Sequence, residues 1–243
     1  MDDGGRTGAV LTIRTVAETG STNADLLALA RDGAGEDGLW LRAERQTAGR
    51  GRQGRDWSSP RGNLYASTLV RLRPTDPPAP SLALIAAVAL AETLLGFGAH
   101  GIHIKWPNDL LLGTAKVSGI LLERTGDWVV IGFGVNLASA PEVPGRATAS
   151  LAALTGVVTP ERALAALASQ LGSRLEDWRQ DFAMLVERWT ALAHPLGTSL
   201  RAGLPDGSVT AGRFDGLTLE GALRLRLADG AMRVIHAADV FEI

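Results

Sequence analysis

The order of apolar and polar positions divides the 243-residue chain into two grammars. Up to about residue 195, short apolar runs alternate with helical stretches. Leu11-Thr12-Ile13-Arg14 alternates as a first strand does. Ser21 and Thr22 then supply caps for a helix over 24–30, with Asp25 favourable in its first turn. Residues 39–43 and 63–70 read as strands, and 74–80 as a Pro-rich connector. The stretch 81–95 is apolar almost all round, which predicts a core helix packed on more than one side. A strand from 102 closes in a Pro-Asn turn at Trp106-Pro107-Asn108-Asp109, and further strands follow over 110–112, 116–123 and 129–137. Thr159-Pro160-Glu161 starts a helix with cap, proline and acid in succession. Leu164, Leu167, Leu171, Leu175 and Trp178 carry its apolar stripe, and a second helix over about 182–192 ends before His194-Pro195.

From about residue 196 the pattern changes to short alternating segments, strict in Leu223-Arg224-Leu225-Arg226-Leu227. Asp206-Gly207, Asp215-Gly216, Glu220-Gly221 and Asp229-Gly230 are turn dipeptides that divide them. About 45 residues of this kind predict a small β-barrel, too small for a large core of its own and expected to dock on the main unit. The expected organisation is a main domain over 1–195 and a small domain over 196–243.

Composition narrows the function classes. A chain this long hides roughly 70–75% of its unfolded surface, so a real core is available. The net charge of −2, with both signs mixed along the chain, disfavours nucleic acid as the main partner. The absence of cysteine excludes disulfides, thiol nucleophiles and cysteine metal sites, and agrees with a cytoplasmic setting. With four histidines besides, a protein-built zinc site is not expected. Residues 1–9 are acidic and Gly-rich without the apolar core of a signal peptide. The most apolar run, 82–91, is interrupted by Glu92 and too short to span a bilayer, so no membrane association is expected.

The candidate chemistry centres on residues 44–59. Gly49, Gly51 and Gly54 let a backbone turn tightly and approach a ligand, while Arg50, Arg52 and Arg55 supply permanent cations and Trp57 an aromatic plate. Together they point to a phosphorylated, ring-bearing ligand. The glycines also spell G-x-G-x-x-G, but loop chemistry follows where a dinucleotide fingerprint needs a helix. A solvated basic loop or a local nucleic-acid patch is the other reading of this segment. Elsewhere, Ser21 and Thr22 could face a ligand's polar head as well as cap a helix. Lys116 stands at the mouth of an apolar strand that holds Gly119. Gly132 and Gly134 lie two apart on a strand, so one face is bare there, as a slot or a close-packed crossing would require. Lys105, Asn108 and Asp109 gather at the Pro-Asn turn.

The set and its order closely resemble the biotin protein ligase family. The resemblance rests on Glu18-x-x-Ser21-Thr22-Asn23, the 49–57 loop, Lys105-Trp106-Pro107-Asn108-Asp109, Lys116-x-x-Gly119-Ile120-Leu121 and Gly132-x-Gly134-x-Asn136. It covers residues 11–140, and the C-terminal segment fits too. It implies an α+β fold of the class II aminoacyl-tRNA synthetase and biotin ligase kind: a mixed sheet flanked by helices, plus a small SH3-like C-terminal barrel. It also implies a two-step reaction in which biotin and ATP form biotinyl-5′-AMP, and a lysine of a carrier domain then takes the biotin. By the same resemblance Lys116, Arg52 and Arg50 are catalytic. Ser21, Thr22, Gln46, Gly49, Arg50, Arg52, Lys116, Gly119, Gly132 and Gly134 bind biotin. Arg52, Arg55, Trp57, Lys105, Asn108 and Asn136 bind ATP or the adenylate, with Trp57 covering adenine. Asp109 is a candidate for Mg2+. The loop carrying Arg52 and Arg55 is expected to close over the intermediate.

The implied acceptor is the biotin carboxyl carrier domain of an acyl-CoA carboxylase, and a monomer or weak homodimer is expected. Only about ten residues precede the first strand, which leaves no room for the DNA-binding domain many bacterial members carry, so no operator binding is expected. Two other readings stay open. One is a lipoyl ligase of the same fold, and the other is a biotin-binding regulator without catalysis.

Overall fold

The computed structural model describes residues 12–242. Leu11 of the expected first strand and the acidic, Gly-rich residues 1–9 lie outside the described residues. The strands are β1 (Ile13–Val16), β2 (Trp40–Ala43), β3 (Leu64–Arg71), β4 (Ile102–Lys105), β5 (Asp109–Leu112), β6 (Ala115–Thr125) and β7 (Trp128–Val135). They form one seven-stranded sheet in the order β1-β2-β3-β7-β6-β5-β4. The β1–β2 pair is parallel and the others are antiparallel, so the sheet is mixed.

Helices α1 (Thr22–Arg31), α2 (Leu82–Gly96), α3 (Ala152–Thr155), α4 (Pro160–Gln180) and α5 (Phe182–Leu192) complete the main unit. The period of two along β7 assigns them to faces. Val129, Ile131, Phe133 and Val135 join α2, α4 and α5 in the large core, whereas Val130 meets Leu26, Leu27 and Ala30 of α1 in a smaller one. The segment Ala79–Gly96 is long and apolar enough to cross a membrane, but most of it is buried between the sheet and α4 and α5. Its all-round apolarity is that of a central core helix.

On the α1 face of β7, Val130 is followed by Gly132 and Gly134. The apolar packing that holds α1, from Trp128 and Val130, therefore stops at Val130, and a cavity opens beside the helix N-terminus. Register fixes what borders it. One transverse row runs Leu41–Ser67–Gly132–Leu121, and the next, one two-residue step along, runs Ala43–Tyr65–Gly134–Gly119. Such a step is about 7 Å.

The C-terminal unit has β8 (Ser199–Gly203), β9 (Val209–Leu217), β10 (Leu223–Arg226), β11 (Met232–Ile235) and β12 (Asp239–Glu242). They form an antiparallel sheet in the order β11-β10-β9-β8-β12. Three of the four turn dipeptides lie between strands. Asp215-Gly216 does not: it lies inside β9, with Gly216 at φ +83° and a register shift against β10. A glycine with positive φ inside a strand is bulge chemistry as readily as turn chemistry. Docking is real: Leu200, Phe214, Leu223 and Val240 belong to the same core cluster as α2 and α5, and Trp106 Nε1 donates to the Gly221 carbonyl at 3.1 Å.

Candidate active site

Ser21 sits at the N-cap of α1 in extended conformation, but its side chain makes no capping hydrogen bond. The residue lines the cavity instead. Beside it, Thr22 is buried and surrounded by polar groups that come from distant strands. Gln46 Oε1 accepts from the Thr22 N–H at 2.9 Å and lies 3.1 Å from its hydroxyl. Thr22 Oγ1 and Ser67 Oγ are 2.7 Å apart, and Ser67 Oγ donates to Asn23 Oδ1 at 2.6 Å. Asn23 Nδ2 donates to the Glu123 carboxylate at 2.9 Å. This end of the cavity is a hydrogen-bonding site.

The 49–57 loop closes with one short bridge, Arg50 to Asp56, around a 3-10 turn over Arg52–Gly54, and a strand rather than a helix comes next. That removes the dinucleotide-fingerprint reading. The three glycines differ in need. A Cβ on Gly49 would lie 2.5 Å from the Trp57 carbonyl oxygen, and Gly54 adopts φ +71°, whereas Gly51 is extended with ordinary contacts. Trp57 folds back over the bare strands. Its indole occupies the place of a Gly134 side chain and touches that of Gly119, and Lys116 Nζ stands 5.4 Å from its ring centre.

The cations gather around Asp109, at the start of β5. Lys116 Nζ is 2.6 Å from Asp109 Oδ1 and Lys105 Nζ is 3.5 Å from Oδ2. Burial lowers the pKa of both lysines below the ordinary 10.5. Asp109 opposes that shift and the nearby Arg146 guanidinium adds to it. Arg52 Nη1 donates to Asn108 Oδ1 at 3.2 Å, and Asn108 Nδ2 holds the Ile120 carbonyl at 2.5 Å. Arg55 reaches across to pair with Asp239 of β12. Asn136 is 1% exposed; its Nδ2 donates to the carbonyls of Lys116 and Ala149, while its Oδ1 lacks a partner among the described residues. A buried acceptor left in that state is an offer to a ligand.

Ser21, Thr22, Gln46, Arg50, Arg52, Arg55, Trp57, Lys105, Asn108, Asp109, Lys116, Gly119, Gly132, Gly134 and Asn136 all line one cavity of about 370 Å³. Gly49 does not line it; it packs behind, against Gln46, Trp57 and Ser59. The structure adds residues that the sequence reading left out. Asn23 and Ser67 complete the polar end. Arg146 comes from a loop that pairs with the Lys116 backbone, through Lys116 N–H to Ala147 O at 2.9 Å and Ala149 N–H to Lys116 O at 3.0 Å. Asn63 shapes the start of that loop by accepting three successive N–H groups, from Leu137, Ala138 and Ser139. Asp239 and Phe241 bring the C-terminal unit to the rim. Asn23 stood beside Thr22 in the sequence pattern; the other residues carried no local signal.

A mixed sheet whose bare glycine face holds a hydrogen-bonding site at one end and a cluster of arginines and lysines at the other suits a ligand with a polar head and an anionic, phosphorylated part. Comparisons with known proteins make this specific. Residues 21–136 match the biotin/lipoate A/B protein ligase family, and residues 196–241 match the biotin protein ligase C-terminal domain. The chain is 42% identical to a biotin–[acetyl-CoA-carboxylase] ligase of Paracoccus denitrificans, over 93% of this chain and 98% of that protein. To the enzyme of the same name from Mycobacterium tuberculosis it is 38% identical, over 94% and 88%. Among solved structures, a biotin protein ligase from Aquifex aeolicus in complex with biotin and ATP superposes with a TM-score of 0.84. It is 25% identical and the match covers 96% of this chain and 99% of that one. The chain belongs to the biotin protein ligase family.

Proposed function

We propose that this protein attaches biotin to a lysine of a biotin carboxyl carrier domain of acyl-CoA carboxylase, at the expense of ATP and through biotinyl-5′-AMP. The observation that carries the reading is the single cavity with two chemically distinct ends, one step of the sheet apart. The polar end suits a cyclic urea, which offers N–H donors and a carbonyl acceptor. A dithiolane, the head of lipoate, has no such donors, so the hydrogen-bonding end favours biotin over the lipoyl alternative.

In the first step a biotin carboxylate oxygen attacks the α-phosphorus, and the bond to the bridging oxygen breaks with pyrophosphate carrying off the electron pair. Bringing a carboxylate to a polyphosphate sets like charges together, about 4 kcal/mol per unit pair at contact in a protein-like medium. Fixed cations offset this where the charge develops. Lys116 is assigned to the carboxylate and α-phosphate, Lys105 and Arg146 to phosphate oxygens, and Arg50 and Arg52 to the loop that covers them. Asp109 holds both lysines in place before the ligand arrives. Asn136 Oδ1 would accept from the adenine amino group, and Trp57 would leave the glycine floor and cover the adenylate. In the second step the acceptor amine attacks the acyl carbon, the bond to AMP breaks, and the nitrogen gives up a proton. Enclosure by the loop keeps water from the mixed anhydride meanwhile.

Magnesium is proposed as a companion of the ATP phosphates. Among the described residues no group of three or more carboxylates and imidazoles could hold a metal, and Asp109 and Asp239 are already paired with cations. Among the described residues there is thus no dedicated metal cage, and a Mg2+ would be held mainly by the triphosphate. The residues at 1–195 and 196–243 are proposed as the catalytic and C-terminal domains, acting in the cytoplasm.

The test is pyrophosphate release from ATP with Mg2+, biotin against lipoate, without acceptor. About one equivalent with biotin alone, followed by transfer to an added carrier domain, is the expected result. Release with lipoate instead would select the lipoyl reading, and biotin binding without any release would select the regulator.

A further inference from the structure

Glu123 lies outside the cavity, one row beyond Ser67 and Gly132, yet the hydrogen-bond chain that ends at Thr22 begins with it. We propose that Glu123 is a positioning residue that fixes the direction of every proton in this chain and thereby makes the Thr22 hydroxyl an acceptor toward the ligand. The inference rests on the reading of the cavity as a biotin site.

The direction follows from what each group can do. An ionised carboxylate only accepts, so the group of Asn23 that faces Glu123 at 2.9 Å is its amino nitrogen. The Leu121 carbonyl, 3.4 Å from the same nitrogen, enforces that choice. Asn23 therefore presents Oδ1 to Ser67, and the Ser67 proton is committed to it at 2.6 Å. With its own proton already used, Ser67 Oγ is an acceptor 2.7 Å from Thr22 Oγ1, and it takes the Thr22 proton ahead of Gln46 Oε1, the other acceptor within reach at 3.1 Å. The Thr22 proton points into the sheet and its lone pairs point outward. Gln46 Oε1 is held by the Thr22 N–H at 2.9 Å and Gln46 Nε2 donates to Ser59 Oγ at 3.1 Å, which leaves the second amino proton of Gln46 for a ligand carbonyl. The cavity end thus offers an acceptor at Thr22 and a donor at Gln46, the complement of a urea's N–H and C=O.

A donor in place of Glu123 would turn the asparagine over and reverse the chain. Asn23 would then donate to Ser67, Ser67 to Thr22, and Thr22 to Gln46. Thr22 would lose a lone pair to Ser67 just where a ligand N–H needs one.

The experiment measures biotin binding by calorimetry and the KM for ATP in pyrophosphate release, for wild type, E123Q, E123K and the double variant N23D/E123K, with thermal melts to verify folding. E123K is expected to weaken biotin binding by roughly ten- to a hundredfold, the scale of a lost and an unsatisfied buried hydrogen bond, with KM for ATP little changed. E123Q, whose carbonyl still accepts, is expected to weaken it less. In the double variant the introduced ammonium donates to the introduced carboxylate, which again accepts from Ser67, so the original direction returns and binding recovers. Folded E123K that binds biotin as wild type does, or a folded double variant as weak as E123K, would overturn the proposal. Wild type that fails to bind biotin would instead sink the biotin reading of the cavity.

Discussion

Replacing Gly132 by alanine puts a methyl group where the Asn23 carboxamide already sits: its position would be 2.8 Å from Asn23 Cγ and 3.1 Å from Nδ2, closer still to Oδ1. Asn23 is 4% exposed and holds Ser67, Glu123 and the Leu121 carbonyl, so moving it strands at least one buried polar group. Overpacking and a broken buried hydrogen bond each cost about 1–3 kcal/mol. Together, about 2–6 kcal/mol in a chain of this size lowers the Tm by roughly 4–24 °C. Because Thr22 and Ser67 hang on the same amide, biotin affinity should fall by about tenfold or more as well. Gly134 provides the contrast. A methyl there would meet the Trp57 indole at 2.5 Å, but that ring is half-buried on a loop, its Nε1 has no partner among the described residues, and it can swing away. G134A should keep its melting point within about 2 °C and raise the KM for biotin all the same, since the methyl narrows the slot. Thermal melts with and without biotin, beside single-turnover pyrophosphate release, separate the two effects. A G132A protein with unchanged melting and unchanged biotin binding would refute the reasoning. So would a G134A protein less stable than G132A.

Three further outcomes are expected. Burial holds the Lys116 pKa below 10.5, so its charge is complete at lower pH and is lost as pH rises through the lowered value; the adenylation rate should show an alkaline limb below 10.5 that moves upward or disappears in K116R. His194 is pushed down to about 4 by burial, with His103 and Lys105 adding to it. The unfolded chain takes up a proton near 6.5 that the native state refuses, so this contribution is present above 6.5 and is lost as pH falls toward 4. It is on the order of 1–2 kcal/mol, and chemical denaturation of H194F should show a shallower acid decline. Breaking the Arg55–Asp239 pair with D239N should change stability by less than about 1 kcal/mol, because the pair is partly exposed, yet raise hydrolysis of the adenylate several-fold in an assay of AMP release without acceptor.

Local chemistry was enough to place most elements, and the motifs that carry the family resemblance pointed to many, though not all, of the residues that line the cavity. Side-chain period separated the main unit from the C-terminal one, and caps and turns marked the boundaries. The spacing of Gly132 and Gly134 alone said that one strand face is bare, since a two-residue period leaves no other choice. What the period could not say is which face that is, or what fills it. Register decided both: it set Ser67 beside Gly132 and put Val130 one step before, so that α1 packs up to the edge of the cavity and no further. Glu123 is 100 residues from Asn23, and Asp239 is 184 from Arg55. Contacts at such separations leave no periodicity or spacing in the chain to read. The same holds for Arg146, brought in by a loop that pairs along Lys116, and for Asp215-Gly216, where one dipeptide serves a turn or a bulge and only the β9–β10 register chooses. The sequence by itself determined the parts and the class of ligand they suit, because those depend on side-chain chemistry and short-range geometry. The tertiary structure alone decided the proton direction at Thr22, the clustering of two lysines on one aspartate and the tie between loop and C-terminal unit, because each is a property of groups that meet only when the sheet is assembled.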